Sequence, residues 1–114
     1  MSKIQATVRF KIDAGKLHEF QNLVNQCLQI VRQKDIETLQ YDIFYDEMAS
    51  ECIIREMYEH SKAFMDHLSN VEEYFSKMID ISTFSAEVYG FQSSALANAL
   101  SNFKTKSYRF SAGI

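Results

Sequence analysis

Glu56 and Tyr58 stand two residues apart in the run Cys52-Ile53-Ile54-Arg55-Glu56-Met57-Tyr58, and His67 follows in the next segment. The run mixes β-branched and aromatic residues and predicts a strand. Its period of two puts Cys52, Ile54, Glu56 and Tyr58 on one face. A carboxylate on an otherwise apolar sheet face is costly unless it is paired or hydrogen-bonded. The segment that opens at Ser61 predicts a helix that carries His67 to a place where it meets that carboxylate. A carboxylate, a phenol and an imidazole gathered in apolar surroundings can move a proton. An unperturbed imidazole titrates at about 6.5, so His67 could act as a general base or bind a phenolate near neutral pH. Each residue also has a plain structural reading. His67 lies one turn from Ala63 and Val71, at the boundary of the apolar stripe, where histidines often serve as hydrogen-bonded packing residues. Glu56 reads first as a structural anchor paired with His67, Arg9 or Arg55, and only second as a catalytic group.

The elements that must position these groups follow from hydrophobic periodicity. Ile4 to Ile12 alternates cleanly, giving a half-buried strand with Ile4, Ala6, Val8, Phe10 and Ile12 inward. After the turn Asp13-Ala14-Gly15, the residues Leu17, Phe20, Leu23, Val24, Cys27, Leu28 and Val31 recur at helical spacing up to Lys34. A second strand over Leu39–Tyr45 places Leu39, Tyr41, Ile43 and Tyr45 on one face. The polar stretch Asp46–Ser50 predicts a hairpin into the third strand. Ser61 is the expected N-cap of the second helix, whose apolar face is Phe64, Met65, Leu68, Val71, Phe75, Met78 and Ile79. A fourth strand is expected over Phe84–Tyr89. Ser93 or Ser94 then caps a short helix carrying Leu96, Leu100 and Phe103, and the tail Ser107–Ser111 alternates as a fifth, edge strand. The fold class is therefore α+β, a ferredoxin-like β-α-β-β-α-β with an extra C-terminal α-β, in one domain over residues 1–114. One sheet face is left without helices. Phe44, Ile53, Met57 and Tyr89 point to it, Arg9 and Arg55 share it, and a homodimer packed sheet against sheet would bury it.

Composition excludes several classes of function. The chain has 114 residues, 46% of them hydrophobic, and a formal net charge of −3, so no basic stripe exists to neutralise nucleic-acid phosphates. No apolar run is long enough to span a membrane, and MSKIQATVRF lacks the apolar core of a signal peptide, which leads to an expected cytoplasmic location. The two cysteines, Cys27 and Cys52, read as small core hydrophobes rather than a disulfide or redox pair. No His, Cys or carboxylate cluster has zinc-site spacing, so no metal is expected. Tyr41, Tyr45, Tyr58 and Tyr74 could supply an aromatic wall to a pocket, with Phe64 at its mouth; core-edge packing is the alternative for all five.

These residues carry a resemblance. Asp13-Ala14-Gly15-Lys16, Thr38-Leu39-Gln40-Tyr41-Asp42-Ile43-Phe44-Tyr45, Arg55-Glu56-Met57-Tyr58 and Ser61-Lys62-Ala63-Phe64 with His67 resemble, in order and spacing, the antibiotic biosynthesis monooxygenase (ABM) domain family. This is a group of dimeric α+β barrel proteins that includes quinol monooxygenase-like members. Glu87-Val88-Tyr89-Gly90 and the helix after it resemble a longer subgroup. The resemblance implies a pocket between helices and sheet for a small aromatic or quinol-type molecule, and oxidation by dioxygen with no metal and no other cofactor. It implies catalytic positions at His67, Glu56 and Tyr58, and a substrate wall at Tyr41, Tyr45, Phe64 and Tyr74. The chain departs from the family in having Tyr58 where many relatives have tryptophan, and Asp35-Ile36-Glu37 where an acid-turn-glycine stretch is common. Two other readings stay open: a non-catalytic small-ligand-binding or stress-response dimer, and a haem-binding relative, which Gln5 and Thr7 on the first strand disfavour.

Overall fold

The alternation of the first strand is carried through to burial except at Thr7, which is buried although it has the outward parity. In the computed structural model, which describes residues 3–114, strand β1 (Ile4–Ile12) buries Ile4, Ala6, Val8, Phe10 and Ile12 and exposes Gln5, Arg9 and Lys11. Helix α1 (Leu17–Lys34) follows the turn at Gly15 (φ 79°) and buries Phe20, Val24, Cys27 and Val31. Strands β2 (Thr38–Asp46) and β3 (Glu51–Tyr58) form the hairpin, with Asp46 Oδ1 accepting the Ala49 N–H at 3.1 Å in its turn. Helix α2 (Ser61–Asp80), strand β4 (Ser82–Tyr89), helix α3 (Ser94–Leu100) and strand β5 (Thr105–Tyr108) complete the chain. The sheet order is β2-β3-β1-β4-β5, antiparallel except for the parallel β4–β5 pair. This is an α+β, ferredoxin-like sheet with one added edge strand.

Several local expectations differ from the structure, each for a physical reason. Leu39 does not face inward with Tyr41. Thr38 pairs with Tyr58 and Gln40 with Met57, so Leu39 is the extra residue of a bulge and lies 45% exposed. Beyond the bulge Tyr41, Ile43 and Tyr45 stand opposite Glu56, Ile54 and Cys52, on the helix-covered face. Helix α2 is capped by His60 rather than Ser61. The His60 Nδ1 accepts the Ala63 N–H at 3.2 Å, while the Ser61 hydroxyl accepts the Ser93 N–H at 2.9 Å and ties α2 to the approach to α3. Strand β4 begins at Ser82, where the Ser82 hydroxyl donates to the last turn of α2 through Met78 O. Strand β5 starts at Thr105 and ends at Tyr108, because its partner β4 ends at Tyr89. A parallel partner requires a crossover connection, which α3 provides.

The core lies between the sheet and the helices. Phe10, fully buried, contacts the rings of Phe20, Phe75 and Phe84 at centroid distances of 5.0, 6.1 and 5.4 Å. Phe103 follows α3 rather than belonging to it, and it packs on Phe75 and Phe84. On the opposite sheet face Phe44 is 55% exposed, and Ile53, Met57 and Tyr89 are half-buried. Among the described residues no helix is long and apolar enough to cross a membrane. Replacing Phe10 with alanine is expected to cost about 3–5 kcal/mol, whereas Leu39→Ala at the bulge should stay within about 0.5 kcal/mol. Urea denaturation of the two variants checks the contrast.

Candidate active site

The side chain of His67 is 4% exposed, not at a boundary, because helix α2 lays it directly over β2 and β3. Its Nδ1 lies 2.5 Å from Asp35 Oδ2, and its Nε2 lies 3.9 Å from Glu56 Oε1. The Tyr58 hydroxyl donates to the same Glu56 oxygen. Rings enclose the imidazole: Tyr41 and Tyr58 each lie at 5.2 Å from it, and Tyr58 stacks on Phe64 at 4.4 Å. Glu56 is thus paired neither with Arg9 nor with Arg55; both arginines are exposed on the other sheet face.

Asp35 is the residue that reasoning from sequence missed. It caps the C-terminus of α1, and its side chain is 1% exposed. Besides His67, Asn70 Nδ2 donates to Oδ1 at 2.7 Å and the Thr38 hydroxyl to Oδ2 at 3.1 Å. A signal was present: a carboxylate at the C-terminal end of a helix opposes the macrodipole, and so calls for some other partner. Arg32 and Lys34, in the last turn before it, are the residues that end ordinarily favours.

The two carboxyls are driven in opposite directions. Burial alone would raise Asp35, but hydrogen bonds from His67, Asn70 and Thr38 together with the His67 charge more than offset it, leaving the group below the ordinary carboxylate value. Glu56 is raised, chiefly by burial, with His67 and Tyr58 offsetting only part. An ionised Asp35 accepts from His67 Nδ1–H and thereby leaves Nε2 as the nitrogen facing Glu56. A carboxylate that fixes the imidazole tautomer in this way is how acid–base sites orient a histidine base. The 3.9 Å between Nε2 and Glu56 Oε1 is too long for a direct hydrogen bond.

Beside this cluster is a cavity of about 30 Å³ that runs across the sheet. Ala6, Val8, Ala86 and Val88 form its floor, and Phe64, Leu68, Val71 and Phe75 its roof, while Tyr41, Glu56 and His67 line one part and Thr105 another. Of the residues predicted for a substrate wall, Tyr41 and Phe64 line the cavity. Tyr58 stands behind Glu56. Tyr45 lies further along β2 beside Cys52, and Tyr74 lies on α2 with Lys77 Nζ 5.6 Å from its ring centre; neither borders the cavity. Tyr41 and Tyr58 are held well above the usual phenol range, first by burial and then by the Glu56 charge, so both remain hydroxyl donors. Cys27, also on the cavity wall, is pushed up to about 12 by burial and the Glu56 charge, with Tyr41 partly offsetting, and stays a thiol. Among the described residues no group of three or more His, Cys, Asp or Glu could hold a metal ion.

No family model matches the chain, and no curated protein matches it. Solved structures do. MupZ from Pseudomonas fluorescens aligns with the whole of this chain and 94% of its own, with a TM-score of 0.84 at 18% identity. A candidate antibiotic biosynthesis monooxygenase from Bacteroides thetaiotaomicron aligns over 75% of this chain and 85% of its own, with a TM-score of 0.68 at 16% identity. The N63A mutant of SnoaB, a cofactor-independent oxygenase from Streptomyces nogalater, aligns over 82% and 95%, with a TM-score of 0.66 at 11% identity. These likenesses establish the fold: the chain has the architecture of the ABM-like proteins.

The pKa directions set opposite pH responses. A group lowered on folding contributes stability above its unfolded value of about 3.8 and loses it as pH falls through the folded value. Asp35→Asn should therefore cost about 3 kcal/mol at pH 7 and progressively less as pH falls below 3.8. Glu56 has the reverse sign: the folded state holds its proton more tightly, so stability declines as pH rises from 4.5 through the folded value. Glu56→Gln, which keeps an acceptor for Tyr58, should raise the Tm by several degrees at pH 8 and hardly at all at pH 4. Thermal melts of both variants across pH 3–8 check both signs.

Proposed function

We propose that this chain is a cofactor-independent monooxygenase acting on a small phenolic or quinol-type aromatic. The observation that carries the reading is the Asp35–His67 pair, buried beside an apolar cavity with Nε2 facing Glu56 at 3.9 Å. The fold shared with SnoaB supports it. In the step the geometry suits, His67 Nε2 removes the phenol proton and Asp35 stabilises the imidazolium that forms. The phenolate then gives electrons to dioxygen, a carbon–oxygen bond forms at the ring, and the oxygen–oxygen bond breaks as the ring C–H is lost. The substrate supplies all four electrons. One oxygen atom ends as a quinone carbonyl, and the other leaves as water with the phenol and ring protons, one of them returned by His67. Glu56 supplies the hydrogen-bonding group beside the developing charge, and Tyr58, donating to Glu56 from behind, holds that carboxyl in place. Tyr41 and Phe64 bound the ring from the cavity wall, while Tyr45 and Tyr74 support β2 and α2 from outside it.

At about 30 Å³ the cavity holds one or two waters, so an aromatic ring enters only as the roof moves. Leu100 at the end of α3 and Phe103 just after it also border the cavity, and they are the part proposed to move. The same small volume favours a second reading, a protein that binds an apolar ligand without converting it. Oxygen uptake separates the two. With a hydroquinone and metal-free protein, uptake at one oxygen molecule per turnover is expected, and His67→Ala should lower kcat by about 10²–10⁴-fold. Turnover unchanged in His67→Ala sinks the oxygenase reading, and thermal stabilisation by ligand without product favours the second.

The assembly proposed with this function is a homodimer through the helix-free sheet face, working in the cytoplasm, where Cys27 and Cys52 stay as the free thiols they are. Phe44, with half-buried Ile53, Met57 and Tyr89 beside it, gives that face its apolar area. Light scattering should give twice the 13.2 kDa chain mass, and Phe44→Glu should return the monomer mass.

A further inference from the structure

Thr105 Oγ1 is the one buried side-chain oxygen or nitrogen without a hydrogen-bond partner among the described residues. Buried polar atoms are nearly always satisfied, so one left unpaired on a cavity wall points to a partner that comes from outside the chain. Thr105 lines the same cavity as His67 and Glu56, but from the other edge of the sheet. It pairs with Ala86, Ala86 with Val8, and Val8 with Ile54, so it sits three strands from β3 and two residues along from the Glu56 row. At ~4.8 Å between strands this is roughly 14 Å across the sheet. Between the two polar positions the floor is Ala6, Val8, Ala86 and Val88, with no group able to hydrogen-bond through its side chain.

From this arrangement we infer that Thr105 is a specificity-determining residue: its hydroxyl recognises a hydroxyl or carbonyl on the end of a flat ligand remote from His67. The cavity then selects molecules polar at both ends and apolar between them. A ligand lacking the remote oxygen leaves Thr105 Oγ1 unpaired in the complex and binds more weakly. The inference rests on the cavity assigned above as the substrate site, but it concerns recognition, and its test reads binding with oxygen excluded.

Isothermal titration under argon with 2,6-dihydroxynaphthalene and 2-naphthol makes that test. The wild-type chain is expected to bind the diol about ten-fold more tightly. Thr105→Val, which preserves shape, should abolish the preference by weakening the diol alone, and Thr105→Ser should retain it. Equal affinities in the wild type, a preference surviving in Thr105→Val, or no saturable binding of either compound would overturn the inference. Binding as expected with no oxygen uptake by any quinol would leave the role of Thr105 standing and remove the oxygenase step instead.

Discussion

A single residue, Asp35, holds together three elements, the consecutive α1 and β2 and the distant α2. It closes the end of α1, accepts from Thr38 at the start of β2, and accepts from His67 and Asn70 on α2. A lone charge removed from water to this degree would be destabilising. Three donors aimed at it turn that cost into a specification, since only one docking of α2 over the α1–β2 connection satisfies all of them. The orientation of the imidazole, and therefore everything its other nitrogen can do, is inherited from this arrangement.

The second carboxylate shows how environment separates identical chemistry. Glu56 has one hydroxyl donor and an imidazole just beyond hydrogen-bonding reach, against the three donors of Asp35. Two acids on either side of one base are thus shifted in opposite directions without any difference in side-chain chemistry beyond a methylene. Sites that need a base and an acid within a few ångströms are built in this way. The aromatic enclosure by Tyr41, Tyr58 and Phe64 keeps water from equalising the two.

Much of the fold was legible because its signals are local and redundant. Strand β1 alternates over its whole length, and α1 and α2 carry apolar stripes at three- and four-residue spacing. The phase of β3 was equally readable, which placed Glu56 inward beside His67. What was not legible depended on one extra residue or on long-range partners. The bulge at Leu39 leaves no mark in the alternation of β2, since Leu39 is itself apolar. The capping role of His60 depends on Ser61 being engaged by Ser93, thirty-two positions away. Asp35 stood only as a departure from a family pattern, because its partners His67 and Asn70 lie on another helix. The cluster was half readable: the pair on the strand and helix, but not the acid that orients it.

The parallel attachment of β5 has a consequence for the order of events in the chain's own folding. Four residues at a sheet edge can dock only after β4 is in place and α3 has carried the chain back across the helical layer. Such a short pairing at a sheet edge opens more readily than the longer pairings inside the sheet. The wall that bears Thr105 is therefore drawn from the least stable part of the sheet, while the wall that bears His67 belongs to its tightly tied half. Amide exchange along β5 would accordingly run faster than along β1. The interior can open at one side while the histidine and its carboxylate stay assembled.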